Sequence, residues 1–161
     1  MVFRRRSESS PPLLPFQRIL VPLAGNEADD AALRLTALLL AGTTGEAALL
    51  HVIEVGFERR LDAEDTQSIS FADEVIERGE TLLRSRGITV RSGMVQARAA
   101  GAAIVDDAVE SGADLILMGL RYKKRFGGSW DAGRTVPYVM RNSKVPVWCL
   151  RAATEDLAHS P

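Results

Sequence analysis

A glycine-rich and basic segment in the last third of the chain, from Gly119 to Thr135, contains the residue types that bind phosphate. Glycines let a phosphate approach the backbone closely, and a helix that begins after them offers unpaired N–H groups and a partial positive charge. From Gly119 to Arg151 eight lysines and arginines accompany one acidic residue, a charge of +7 in a chain whose net charge is −1. Such a field raises the local concentration of anions. The sequence therefore predicts a site for an anionic ligand here.

The motifs of known phosphate-using enzymes are not matched. Residues Gly128 to Thr135 read G-x-x-x-x-G-R-T, but a Walker A loop needs its lysine and directly follows a strand. No G-x-G-x-x-G follows the first predicted strand, which disfavours a dinucleotide-dependent dehydrogenase. His51 and His159 are too dispersed for a zinc site, and no nucleophile neighbours His51. The residues favour binding over catalysis, and a slow nucleotide hydrolase is the least favoured function because no well-placed general base is visible.

Length and composition predict one folded domain. The chain has 161 residues, of which 46% are hydrophobic and 25% charged, near the values of globular proteins. Its apolar runs are too short for insertion into a membrane, and its net charge argues against a general nucleic-acid binder. The single cysteine, Cys149, fits a reducing cytoplasm. We expect a flexible lead-in over residues 1–16, a folded domain over 17–151 and a flexible tail over 152–161.

Five short apolar runs alternate with helical patterns, which predicts a doubly wound α/β domain whose parallel sheet has helices on both faces. Asn26 can cap the first helix, and Pro137 should lie in the first turn of the last one. Thr135 either caps that last helix or contacts the ligand. The first helix has an apolar face at helical spacing, formed by Ala28, Ala31, Leu35, Leu38 and Leu39. The predicted strands are 18–23, 47–53, 89–95, 114–119 and 145–150, and the predicted helices are 27–41, 68–86, 99–111 and a short one ending near 142.

Several segments together resemble the universal stress protein family over about residues 17–151. They are Ile19-Leu-Val-Pro22, Leu49-Leu-His-Val-Ile53, Gly112-Ala-Asp-Leu-Ile-Leu-Met-Gly119, and Tyr138-Val-Met-Arg141 with Val145-Pro-Val147. The resemblance implies the Rossmann-like fold of the adenine nucleotide alpha hydrolases, with a five-stranded parallel sheet in the order 3-2-1-4-5. It also implies a homodimer and, as in many members, bound ATP.

The family's ATP-binding pattern, G-x2-G-x9-G-[ST], is matched only in part. Gly119 matches its first glycine and Gly133 its third. Tyr122 stands at the second glycine, and Arg134 replaces the following Ser or Thr, where it can make a charge-assisted contact with phosphate. Ala24 stands where the family usually presents an aspartate, a loss that should weaken discrimination of the nucleoside. The predicted nucleotide-binding residues are Pro22, Leu23, Ala24, Val52, Met118, Gly119, Arg121, Tyr122, Gly127, Gly128, Gly133, Arg134 and Thr135.

The resemblance implies a regulatory module that binds ATP or another adenine nucleotide, with or without Mg²⁺, in the response to stress or energy state. The expected form is a cytoplasmic homodimer joined through the last strand, Val145–Leu150, because an edge strand that carries Trp148 needs to be covered. The alternative is a dimeric interaction module with a degenerate pocket that regulates a transporter. The segment from Gly119 to Thr135 is similar to that of domains attached to amino-acid permeases.

Overall fold

The computed structural model of the protein describes residues 16–61, 65–121, 123–124 and 130–151. Strands and helices alternate along the chain as predicted, with an added pair of short strands after the fourth strand. No helix within the described residues is long and apolar enough to cross a membrane. The elements are β1 (Arg18–Leu23), α1 (Ala28–Leu40), β2 (Glu46–Glu54), α2 (Thr66–Arg84), β3 (Thr89–Ala97), α3 (Ala100–Glu110), β4 (Leu115–Gly119), β5 (Lys123–Lys124), β6 (Trp130–Asp131), α4 (Thr135–Asn142) and β7 (Val147–Leu150).

The main sheet has five parallel strands in the order β3-β2-β1-β4-β7. Numbered among themselves, these strands have the predicted order 3-2-1-4-5, and the doubly wound fold is confirmed. Helices cover both faces of the central strands, which explains why those strands are continuous apolar runs. Ile19, Leu20 and Val21 of β1 are all fully buried.

Alternate residues of the three central strands, β1, β2 and β4, enter two separate cores, one on each face of the sheet. The core beside α1 and α2 contains Val21 and Leu33. The core beside α3 and α4 contains Leu20, Ile104 and Val139. Full burial of one such side chain contributes about 1.5–3 kcal/mol. Packing on both faces therefore holds the carboxyl ends of β1, β2 and β4 in fixed positions.

The apolar face predicted for α1 is wrong at Leu38, which is 72% exposed. Ala31, Leu35 and Leu39 are partly buried, and the two leucines pack against the core. Apolar residues occur at helical spacing on more than one side of this helix, so periodicity does not select the buried side. The residues of α1 that are buried are Ala28, Asp29, Ala32, Leu33, Thr36, Ala37 and Leu40.

The glycine-rich segment contains a short antiparallel ladder that the sequence did not predict, in which β5 pairs with β6. Two strand boundaries also differ from the prediction by two residues, and those of β2 and β4 differ by one. β3 extends to Ala97, and β7 begins at Val147 because Pro146 has no N–H to donate to a ladder, although its carbonyl accepts the N–H of Ile116. α4 begins at Thr135 and has Pro137 in its first turn, as predicted.

Candidate functional site

The order of the strands reverses at β1, which lies between β2 and β4. In doubly wound sheets a ligand binds in the crevice that this reversal leaves outside the carboxyl ends of the strands. A cavity of about 310 Å³ opens at this point. Its walls come from the β1–α1 loop, the ends of β2 and β4, and the starts of α3 and α4.

Most of the predicted site residues that the structure describes line this cavity. Gly133 and Arg134 do not line it and are exposed immediately before α4. Tyr122, Gly127 and Gly128 lie outside the described residues. The predicted residues that line the cavity are Pro22, Leu23, Ala24, Val52, Met118, Gly119, Arg121 and Thr135. The polar residues that line it without having been predicted are Asn26, Asp29, His51 and Glu54.

The β1–α1 loop is held in shape by the carboxylate of Asp29, which is only 3% exposed. Its oxygens accept hydrogen bonds from the backbone N–H groups of Ala24 at 3.1 Å, Gly25 at 2.7 Å and Asn26 at 3.3 Å. Burial raises the pKa of Asp29 above its ordinary value, and the three backbone hydrogen bonds partly oppose that rise. The side-chain oxygen of Asn26 accepts the N–H of Ala28 at 2.9 Å, the kind of hydrogen bond that a cap makes, although the N-cap position itself is Glu27.

The cavity therefore contains carboxylates even though Ala24 carries none. Asp29 is one, and Glu54 at the end of β2 is the other. Glu54 Oε1 accepts the backbone N–H of Ala100 at 2.8 Å, at the start of α3. Both carboxylates thus bind backbone N–H groups of the chain itself. They shape the site and leave fewer of their lone pairs for a ligand.

His51 is a hydrogen-bonded structural residue, as its position in an apolar strand predicts. Its side chain is nearly buried, and Nδ1 lies 3.0 Å from the carbonyl oxygen of Leu23. A carbonyl only accepts, so Nδ1 carries the proton of this hydrogen bond. The ring also contacts Phe71 edge to face, with centroids 5.8 Å apart. His51 thereby ties the end of β2 to the end of β1.

Gly119 has a packing role in addition to its place in the cavity wall. A Cβ atom at this position would lie 2.2 Å from the carbonyl oxygen of Ala28 and 2.6 Å from its carbonyl carbon. These are backbone atoms at the start of α1 and cannot rotate away. Only glycine allows the end of β4 and the start of α1 to approach this closely.

Arg121 lies just beyond β4 and forms an ion pair across the rim of the cavity. Its Nε lies 2.7 Å from Oε1 of Glu27, the residue that precedes α1. Both side chains are well exposed. The sequence predicted Arg121 as a cation for phosphate but did not predict this acidic partner.

The start of α4 carries a positive charge and no side-chain cap. Arg134 occupies the N-cap position, and no side-chain hydrogen bond caps the helix in the part of the chain that is described. Gly133 before it has a φ of +73°, a conformation that favours glycine. Thr135 is the first residue of the helix and lines the cavity. Of its two expected roles, the N-cap position belongs to Arg134, and contact with the ligand stays a prediction. The first N–H groups of α4 are suited to bind an anion.

The chemistry that this arrangement supports is binding of a small polar ligand. Among the described residues no cluster of three or more His, Cys, Asp or Glu side chains could hold a metal ion.

The sequence analysis missed Asp29, although its spacing from Asn26 offered a signal. An acidic or amide side chain three residues after an N-cap residue can accept the N–H of that residue, as in a capping box. Glu27 and Glu54 left no such signal, because their partners are distant in sequence.

The fold and the position of the cavity define a doubly wound α/β domain with a ligand crevice at the reversal of strand order. The model of the universal stress protein family matches residues 15–151. The chain belongs to this family. No curated protein matches the chain in sequence.

Solved structures of family members are similar to this chain in fold. A universal stress protein from Archaeoglobus fulgidus is 21% identical, with a TM-score of 0.69 over 83% of this chain and 97% of its own. The universal stress protein from Archaeoglobus fulgidus in complex with dAMP is 20% identical, with a TM-score of 0.67 over 84% and 98%. A family protein from Arabidopsis thaliana with AMP bound is 12% identical, with a TM-score of 0.64 over 89% and 96%.

Proposed function

We propose that this protein is a regulatory module that binds ATP or another adenine nucleotide in the cavity at the carboxyl edge of its sheet. The observation that carries this proposal is the cavity itself, which opens where the strand order reverses and is lined by the ends of β1, β2 and β4. Membership of the universal stress protein family supports the proposal, as do the relatives whose structures hold dAMP and AMP.

The base lies between the Leu23–Ala24 segment and Val52, and the phosphates extend toward α4. Leu23, Leu50 and Val52 are among the apolar residues that line the cavity. Arg121 in the cavity wall and Arg134 at the N-cap of α4 supply positive charge, and the start of α4 supplies backbone N–H groups. Gly119, Gly133 and Thr135 complete the phosphate site, together with the predicted residues Tyr122, Gly127 and Gly128.

The activity of the module is binding of the nucleotide, with or without Mg²⁺, and it responds to stress or energy state in the cytoplasm. The functional unit is residues 17–151, which act as a homodimer through residues 145–150. Support for this interface comes from β7, an edge strand of the sheet whose Trp148 is 43% exposed. Sedimentation equilibrium measures the assembly: a dimer mass supports it, and a monomer mass at micromolar concentration contradicts it.

Calorimetric titration with ATP, ADP and AMP, each with and without Mg²⁺, tests the proposed site when wild type is compared with Gly133→Asp. The added carboxylate beside α4 should repel the phosphates and weaken binding about tenfold or more, which corresponds to about 1.4 kcal/mol. Gly87→Asp is the matched control, because Gly87 has a φ of +75° and, like Gly133, open space where a Cβ would lie. It lies between α2 and β3 and does not line the cavity. Equal affinities of the two variants would contradict this placement of the phosphates.

The second candidate is a dimeric interaction module that regulates a transporter. It is favoured by the ion pair of Arg121 with Glu27, which engages a cation that a phosphate would need. A protein that forms the dimer but binds none of the three nucleotides would support this second candidate and contradict the first.

A further inference from the structure

The cationic side chain at the rim of the cavity, Arg121, forms an ion pair with an acidic residue of the same chain. Arg121 is the only Lys or Arg among the described residues that line the cavity. Its Nε lies 2.7 Å from Oε1 of Glu27, which adjoins the lining residue Asn26. A phosphate in the cavity would meet a guanidinium that already has an anionic partner.

The close packing of β4 on α1 brings these two side chains together. Gly119 touches the backbone of Ala28 so closely that no Cβ would fit between them. Arg121 follows Gly119 by two positions, and Glu27 directly precedes Ala28. The backbone contact between Gly119 and Ala28 therefore brings Arg121 and Glu27 close to each other in the folded chain.

We propose that Glu27 determines how strongly the site prefers phosphate-bearing ligands. The inference depends on the proposed function, since it concerns the same cavity. Glu27 lowers the affinity for anions in two ways: it competes with phosphate for the guanidinium of Arg121, and its own charge repels phosphate. Adenosine carries no charge, so Glu27 neither attracts nor repels it strongly. The residue thus selects against ligands with many phosphates and has little effect on the nucleoside.

Glu27→Gln keeps the size of the side chain and removes its charge. Both side chains of the pair are well exposed, and exposed pairs couple weakly, so we expect the variant to bind ATP about two- to fivefold more tightly than wild type. The gain should be smaller for AMP, absent for adenosine, and reduced at high salt because the charges are screened. In a chain that already carries Arg121→Gln, Glu27→Gln should give a smaller gain, because only the repulsion remains to be relieved.

The test is calorimetric titration of wild type, Glu27→Gln and Glu77→Gln with ATP, AMP and adenosine at low and high salt. Glu77→Gln is the charge-matched control, since Glu77 is an exposed residue of α2 that does not line the cavity. Melting temperatures without ligand report whether each variant is folded. Tighter ATP binding by Glu27→Gln alone, with adenosine unchanged, supports the inference.

Two other outcomes overturn it in distinguishable ways. If wild type binds nucleotide and Glu27→Gln binds ATP equally or more weakly, the inference fails while the proposed function stands. Weaker binding would mean that Glu27 orients Arg121 for the phosphate. If neither wild type nor Glu27→Gln binds ATP, AMP or adenosine, the proposed function fails and the inference fails with it.

Discussion

Substitution of Gly119 by alanine separates the packing role of this glycine from any role in ligand binding. The new Cβ would lie 2.2 Å from the carbonyl oxygen of Ala28, whereas ordinary contacts begin at 3.4 Å. The end of β4 and the start of α1 would have to separate by about 1.2 Å to restore a normal contact. That movement disturbs the core beneath α1, which contains the fully buried Leu117.

We expect Gly119→Ala to lower the free energy of unfolding by about 1–2 kcal/mol. Overpacking of this kind costs about 1–3 kcal/mol, and the loss of glycine's freedom in the unfolded chain returns about 0.4–1 kcal/mol. For a chain of this size the melting temperature should fall by about 2–8 °C. Gly93→Ala is the control, because a Cβ at Gly93 of β3 meets nothing within 4 Å. It should leave stability unchanged or raise it by less than about 1 kcal/mol.

Differential scanning calorimetry on protein stripped of nucleotide measures both variants. The absence of nucleotide matters, because a ligand that binds only the folded state would raise the melting temperature and confuse packing with binding. A Gly119→Ala protein that melts at or above the temperature of Gly93→Ala would refute the close packing of β4 on α1.

Two further predictions concern α1 and its buried acid. Leu33→Ala should cost about 2–5 kcal/mol in urea unfolding, because Leu33 is 1% exposed, whereas Leu38→Ala should cost less than about 0.5 kcal/mol at 72% exposure; equal costs would mean that the wrong face is assigned as buried. The raised pKa of Asp29 means that the folded protein holds the proton more tightly than the unfolded chain, so this group's contribution to stability is lost as pH rises through its ordinary pKa and then its folded pKa. Wild type should therefore lose stability relative to Asp29→Asn as pH rises above about 4 in chemical unfolding, and a difference that is constant with pH would contradict the shift.

The sheet could be predicted from sequence because its strands carry a strong and unambiguous signal. β1 and β4 are short apolar runs that helices bury on both sides, and each ends at a loop or a glycine. The order of the strands came from the resemblance to a family, since apolar runs contain no information on which strand lies beside which. The buried face of α1 was beyond prediction at Leu38, because its neighbours Ala37 and Leu39 are equally apolar.

The site was predictable at the ends of strands and not at its charged residues. The rule that ligands bind at the carboxyl ends of strands selects the loops after β1, β2 and β4, and the resemblance to the family adds Val52 within β2. Asp29 and Asp30 are adjacent acids in the first turn of α1, where either would interact favourably with the helix dipole. Only Asp29 is buried, because its direction on the helix points to the β1–α1 loop. Which of two adjacent acids turns inward depends on tertiary packing.

The starts of the helices explain where an external anion can bind. At α1 the preceding backbone N–H groups bind Asp29, at α2 the N–H of Ser68 binds Asp65, and at α3 the N–H of Ala100 binds Glu54. A phosphate at any of these three positions would have to displace a carboxylate that the fold already provides. At α4 the N-cap residue is Arg134, and no side chain among the described residues caps the helix.

The helix starts along the carboxyl edge of the sheet differ in charge, and this difference favours one orientation of a bound nucleotide. Carboxylates accept the N–H groups near the β1 and β2 ends, where a base or sugar would lie, and they repel a phosphate there. At α4 the cation Arg134 lies at the start of the helix and attracts the phosphate, while Arg121 beside β4 is paired with Glu27. A nucleotide that entered in the reverse orientation would place its most charged group against Asp29 and Glu54 and its apolar base beside Arg134. The charges therefore favour one orientation of the ligand, which is the orientation that Gly133→Asp tests.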